Sequence, residues 1–219
     1  MGTVKNLADS NLSISPAAMM RRRRFRRFLD LVESCPKRRL RILDVGGTEN
    51  FWEMMNFVDS GHEITVLNLT QAETRHKNII GVAGDACSMP QFNDDQFDIV
   101  FSNSVIEHVG SWENQQRMAD EVRRLAKKYF VQTPNYYFPM EPHSLFPGFQ
   151  FLPVAMQVWL VQRRAIGWFP QAENYRQACE IVGEIHLLKK REMKTLFPDA
   201  VILHERFLGA TKSLMAVRR

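Results

Sequence analysis

Cysteine is scarce in this 219-residue sequence: Cys35, Cys87 and Cys179 stand far apart. They form no Cys-x-x-Cys pair and no Cys/His ligand spacing. This excludes a disulfide framework and a structural zinc site, fits a reducing, cytoplasmic compartment, and leaves no metal ligand set to be read. A basic segment leading into an apolar stretch, the mark of a signal peptide, is missing from residues 1–20. The most apolar stretch, Leu145–Val161, falls short of the roughly 18 residues of a spanning helix. It is also interrupted by Pro147, Gly148 and Pro153. Two phosphate-binding loops are absent as well. No G-x-x-x-x-G-K-[ST] run exists, and Gly46-Gly47-Thr48-Glu49-Asn50-Phe51 lacks the later glycines of G-x-G-x-x-G.

What is present is a globular composition, with 45% hydrophobic and 24% charged residues. Residues 1–41 hold eleven Lys/Arg against three acids, while the remainder holds 18 against 21. A basic front on a mildly acidic body points to a local anionic partner and disfavours a protein-wide nucleic-acid footprint. Met1–Ser15 reads as a loose arm. In Pro16–Ser34, Phe25, Phe28, Leu29 and Val32 recur at three- and four-residue steps on one helix face, with Arg21–Arg24, Arg26 and Arg27 over the rest.

Short apolar runs then alternate with helical patterns. Strands are expected at Leu40–Val45, Glu63–Leu69, Asn78–Ala83, Phe97–Ser102 and Tyr129–Gln132, with helices at Glu49–Val58 and Trp112–Lys128. This order predicts an α/β fold with a doubly wound, mostly parallel sheet. Ala200–Phe207 and Ser213–Val217 are separated by too few residues for a helical crossover. They complete a seven-stranded sheet as an antiparallel C-terminal hairpin, with one antiparallel member at the edge. Residues 1–39 form the basic arm and helix. Residues 40–219 form the main domain, with a cap inserted at about 135–198. The apolar Leu145–Trp168 stretch reads as core beneath that cap, since large apolar side chains are mostly buried.

Ligands of open α/β sheets bind at the carboxyl ends of the strands, so the residues following each strand are the ones to inspect. They are Asp44 with Gly46-Gly47-Thr48, then Asn68-Leu69, Gly84-Asp85-Ala86, Asn103-Ser104 with Glu107-His108, and Thr133-Pro134-Asn135. Asp44-Val-Gly46-Gly47, Asn68, Gly84-Asp85-Ala86 and "FDIVFSNSVIEHV" (Phe97–Val109) together resemble a class I S-adenosylmethionine-dependent methyltransferase of the broad small-molecule group. The tail "LFPDAVILHERFLGATKSLMAV" (Leu196–Val217) resembles that group's closing hairpin. The resemblance implies S-adenosyl-L-methionine as cofactor. By it, Gly46 and Gly47 face the methionine part, with Thr48 continuing their loop, and Asp44 reaches the ammonium. Asn68, beside Leu69, stands where the family usually places an acid on the ribose hydroxyls. Asp85 accepts from the adenine amino group, the Ala86 N–H meets a ring nitrogen, and Asn103 lies at the methionine end.

Methyl transfer needs an aligned acceptor and a group to take its proton, and histidine suits that task near neutral pH. His108, in "IEHV", and His143, in the proline-stiffened "TPNYYFPMEPH" (Thr133–His143), are the candidate bases. Tyr136 and Glu141 of the same loop are candidate acceptor contacts. His62, His76, His186 and His204 read as structural. Nucleobase-amine methylation is disfavoured, because the family's Asn/Asp-Pro-Pro-aromatic tetrad is replaced by Ser102-Asn103-Ser104-Val105. The expected acceptor is a small or lipid-linked molecule, with anionic ones among the candidates. For the arginine run three readings stand: a solvated helix over the cofactor site, recognition of an anionic acceptor, or peripheral contact with anionic lipid. Two other functions stand beside the enzyme. One is a nucleic-acid-binding protein using the Arg21–Arg27 helix; the other is a non-catalytic cofactor-binding relative.

Overall fold

The computed structural model describes residues 16–219; the expected arm at 1–15 lies outside the described residues. Helix α1 (Pro16–Glu33) leads into β1 (Arg41–Val45). β1 lies between β2 (Glu63–Asn68) and β4 (Ile99–Asn103), with β3 (Ile79–Ala83) beyond β2 and β5 (Tyr129–Pro134) beyond β4, all parallel. The sheet closes with β7 (Ala210–Arg218) antiparallel against β5, and β6 (Val201–Phe207) antiparallel against β7. The order β3-β2-β1-β4-β5-β7-β6 is the doubly wound seven-stranded sheet with its antiparallel hairpin. The antiparallel strand, β7, stands one place in from the edge. The reason is apolar content: β7 is buried from Ser213 to Val217, whereas β6 is largely exposed. Leu208 (φ 48) and Gly209 (φ 83) alone span the hairpin, and paired positive φ values suit the right-handed twist of two strands.

The expected elements recur with shifted ends. Helix α2 (Glu49–Met54) stops before residue 58 because Asn56 adopts φ 54, outside the helical region. β5 runs on through Pro134, since a proline at the last strand position removes little from the ladder. On one face, α1 and α2 press Phe25, Phe28, Leu31, Phe51 and Trp52 onto Ile42, Phe101 and Phe130. Phe28 alone makes edge contacts with Trp52, Phe57, Phe101 and Phe130. On the other face, α3 (Trp112–Leu125) and α6 (Lys190–Leu196) place Met118, Val122, Met193 and Leu196 against Leu43, Val100 and Val131.

Between β5 and α6, helices α4 (Val154–Arg163) and α5 (Tyr175–Gly183) build a small core of their own. Phe149, Val158, Val161, Ile166, Phe169 and Ala178 are buried there, whereas Phe151, Met156, Trp159 and Trp168 are about half exposed. The stretch read as core is therefore two-sided. An amphipathic α4 has one apolar face to spend inside the cap and leaves the other outside. No helix among the described residues is long and apolar enough to cross a membrane.

Candidate active site

The carboxyl ends of β1 to β4 meet at one rim, and the order of the strands reverses between β1 and β4. A cleft of about 440 Å³ opens there, lined by Gly46, Asn68, Leu69, Asp85, Ala86 and His108, with Ser104, Val105 and Asn114 completing its wall. A smaller hollow of about 180 Å³ shares Gly46 and is lined by Asp44, Gly47, Thr48, Asn103 and Arg21. All nine residues expected to hold the cofactor thus line one of two adjoining spaces.

Asp44 is 1% exposed at the end of β1. Trp52 Nε1 donates to its Oδ2 at 2.8 Å, but its Oδ1 is buried without a partner. Burial pushes this carboxyl up to about 7, and the Trp52 bond opposes the shift only in part. The next turn packs directly on the carboxylate: a Cβ at Gly47 would stand 1.7 Å from Asp44 Oδ2, so only glycine fits. Asn68 Nδ2 donates to the Gly47 carbonyl at 2.9 Å and braces the same turn. Thr48 caps α2 by accepting from the Phe51 N–H at 3.3 Å, which commits its hydroxyl locally. Asp85 Oδ1 accepts from the Cys87 N–H at 2.8 Å, a local Asx turn within the cleft wall. Leu69, 80% exposed, offers an apolar surface at the cleft mouth. A buried, unpartnered carboxylate oxygen beside glycine backbone fits the ammonium end of an amino-acid-bearing nucleoside, and the larger cleft is open to its adenosine.

The two candidate bases meet where the larger cleft borders the cap. His108 lies in a single helical turn, Ile106–His108, after β4; His143 comes from the loop after β5. Their rings are 4.9 Å apart between centroids and perpendicular. Glu141 is 3% exposed and lies 2.6 Å from His143 Nδ1 through Oε1, which also accepts the His143 backbone N–H at 3.0 Å. Its other oxygen accepts from the Ser144 N–H. Burial raises the Glu141 carboxyl, but these bonds and the His143 charge outweigh it and leave it below the usual range. A carboxylate on Nδ1 favours the tautomer with the proton on that nitrogen, which leaves the Nε2 lone pair free. Gly167 fixes this loop from the cap: a Cβ there would stand 2.5 Å from the His143 carbonyl, and the neighbouring Trp168 N–H donates to that carbonyl at 2.7 Å.

Glu107, fully buried, accepts from Thr133 Oγ1 at 3.0 Å through Oε2, while its Oε1 has no partner. Burial pushes its pKa up to about 7. Polar atoms of Glu107, His108 and His143 all lie within 4.8 Å of one another. Sequence reading placed Glu107 beside His108 after the fourth strand but gave it no role. It also missed Arg21, Val105 and Asn114 in the cleft walls, because their positions depend on packing between elements. A third space, about 490 Å³ beneath the cap, is lined by Tyr136 and Glu141 together with Gln115, Phe149, Gln150 and His186. Tyr136 is held by Lys189 Nζ, 5.0 Å from its ring centroid, so both expected acceptor contacts border one cavity.

Residues 43–129 match the family model described as a methyltransferase domain. A 64-residue stretch is 36% identical to uncharacterized protein Rv1509 of Mycobacterium tuberculosis, covering 29% of this chain and 22% of that protein. The chain therefore matches about a fifth of that relative's length. Among solved structures, the PH0226 protein from Pyrococcus horikoshii superposes with a TM-score of 0.53 at 17% identity, over 90% of this chain and 89% of that one. The CurJ carbon methyltransferase superposes with a TM-score of 0.53 at 14% identity, over 87% of this chain and 52% of that one. At such identities the two structures speak for the fold, and the family model speaks for the sequence of residues 43–129. Over residues 43–129 the chain is thus similar to a methyltransferase domain, on a fold that it shares with a solved carbon methyltransferase.

Proposed function

We propose that the chain is a methyltransferase acting on a small or lipid-linked acceptor that enters from beneath the cap. The observation that carries this reading is the meeting of the two hollows at Gly46, with His108, in ring contact with His143, on the wall of the larger one. When bound, S-adenosyl-L-methionine supplies a methyl group on a cationic sulfur. Asp44 holds the ammonium end, Gly46, Gly47, Thr48 and Asn103 bound the space for the methionine part, and Asn68 and Leu69 border the sugar. Asp85 and Ala86 recognise the purine. Tyr136 and Glu141 orient the acceptor from the cap cavity. His143 accepts the acceptor's proton on Nε2, with its charge stabilised by Glu141, as in nucleophile-activating carboxylate–histidine pairs. His108 lines the cleft beside it. Partial burial of the His108 ring, and then the His143 charge, hold its pKa below the usual value, which keeps it neutral as a neighbouring proton relay.

Labelled S-adenosylmethionine incubated with an extract tests the reading by transfer of label to a product. His143→Ala should lower the transfer rate about 10²–10⁴-fold, the span of a general base, while cofactor affinity stays unchanged. Full activity in that variant contradicts the assignment. The closeness of Glu107, His108 and His143 favours a second reading, in which they bind a divalent ion. Loss of activity on chelation, restored by added metal, supports that reading, whereas a proton-accepting His143 predicts indifference to chelators.

A further inference from the structure

The arginine face of α1 is not absorbed by the cofactor site. Arg22, Arg23, Arg26 and Arg27 are exposed. Of these four, only Arg27 has an acidic partner among the described residues, Asp30, and at 4.0 Å. Arg23 and Arg27 also line a hollow of about 140 Å³ with His204 and Arg206. The acid at that hollow, Glu205, is buried and paired with Arg24 at 3.5 Å, so it does not neutralise the rim.

An apolar ridge runs alongside. Its tip is Leu208, 92% exposed, in the two-residue turn of the β6–β7 hairpin. Leucine at φ 48 is a poor choice for turn stability, because this position favours glycine or asparagine. Contacts tie the chain behind this tip to α1 and to the loop after β5. Lys212 Nζ reaches Met20 Sδ at 3.4 Å and lies 6.0 Å from the Phe207 ring centroid, which ties the hairpin to α1. Phe207 meets Phe138 at 6.5 Å, and Tyr136 bridges Tyr137 at 5.2 Å to Phe151 at 5.4 Å. Met19 of α1, and Tyr137 and Phe151 of the segment after β5, are 66%, 62% and 49% exposed.

We infer that this face docks peripherally on an anionic lipid bilayer. The arginines lie over the headgroups, with Leu208 and its aromatic neighbours in the interface. Exposed arginines, Arg22, Arg23 and Arg26 among them, together with exposed leucine and aromatic side chains are the complement of a negatively charged surface with an apolar layer beneath it. An acidic protein or a nucleic acid would use the charge but leaves Leu208 without a role. Docking here sets the carboxyl rim of the sheet beside the bilayer, since Arg21 on the same helix lines the hollow holding Asp44. The inference is independent of whether methyl transfer occurs.

Co-sedimentation of the full chain with phosphatidylcholine vesicles, with and without phosphatidylglycerol, tests it. Binding is expected only to the anionic vesicles and should weaken as salt rises. The exposed triple substitution Arg22→Glu, Arg23→Glu, Arg26→Glu should lower binding at least about a hundredfold, the combined scale of three surface arginines. Leu208→Asp should lower it severalfold, with melting temperature and cofactor affinity unchanged in both variants. Absence of binding at low salt, or binding unaffected by Leu208→Asp, overturns the inference. So does tighter, Leu208-independent binding to RNA, which would make the face a nucleic-acid site.

Discussion

Asp44 carries opposed demands. It must be buried to shape the turn at Gly47, yet burial disfavours its charge, and one oxygen lacks a partner. Its carboxyl moves from 3.8 to about 7 on folding. A group raised in this way contributes stability that is fully present below its unfolded value and is lost as pH rises through its folded value. The melting temperature of the wild type relative to Asp44→Asn should therefore fall as pH climbs from near 4 to near 7, then level off; a flat difference would mean that Asp44 is not desolvated. At this scale the strand-end positions were legible. Asp44, Gly46, Asn68 and Asp85 stand at strand ends, and strand ends can be read from short apolar runs closed by small or polar residues. What could not be read was how side chains are spent locally. Thr48 caps α2, Asn68 braces Gly47, and Asp85 closes an Asx turn. Nor could the meeting of His108 with His143 be read, because residues far apart in the chain are joined there only by the fold of the cap.

α1 shows how one helix serves two surfaces. The spacing of Phe25, Phe28, Leu29 and Val32 identified its inner face, and Phe28 proves to be its anchor, fully buried among four aromatic rings. Phe28→Ala should destabilise the protein by about 3–5 kcal/mol, measured by denaturant unfolding; a loss below about 1 kcal/mol would mean that α1 is not part of the core. The same helix was legible as basic, but which arginines face outward depended on its docking angle. The closing hairpin was likewise legible as a pair of strands. Its inner and outer order was not, because burial along β7 and exposure along β6 follow from the neighbour β5 rather than from either strand alone. Element ends shifted where a single residue decided them, as at Asn56 and Pro134.

The molecule as a whole divides its labour by position. Two helical layers bury the sheet, the carboxyl rim gathers polar loops around adjoining spaces, and the cap adds a separate cavity beside the His108–His143 corner. Alternating strands and helices made the layers predictable. The cap's two-sided α4 was not, since its apolar residues exceed what its small core can hold. We propose that the rim, with Asp44 at one end and Asp85 at the other, holds S-adenosyl-L-methionine. Titration calorimetry of the purified chain with S-adenosyl-L-methionine and separately with NAD, repeated on Asp85→Ala, tests it most directly. Saturable heat is expected with S-adenosyl-L-methionine and none with NAD, with affinity reduced about tenfold or more in the variant, the scale of one charge-assisted hydrogen bond. Binding of NAD without any response to S-adenosyl-L-methionine would contradict it.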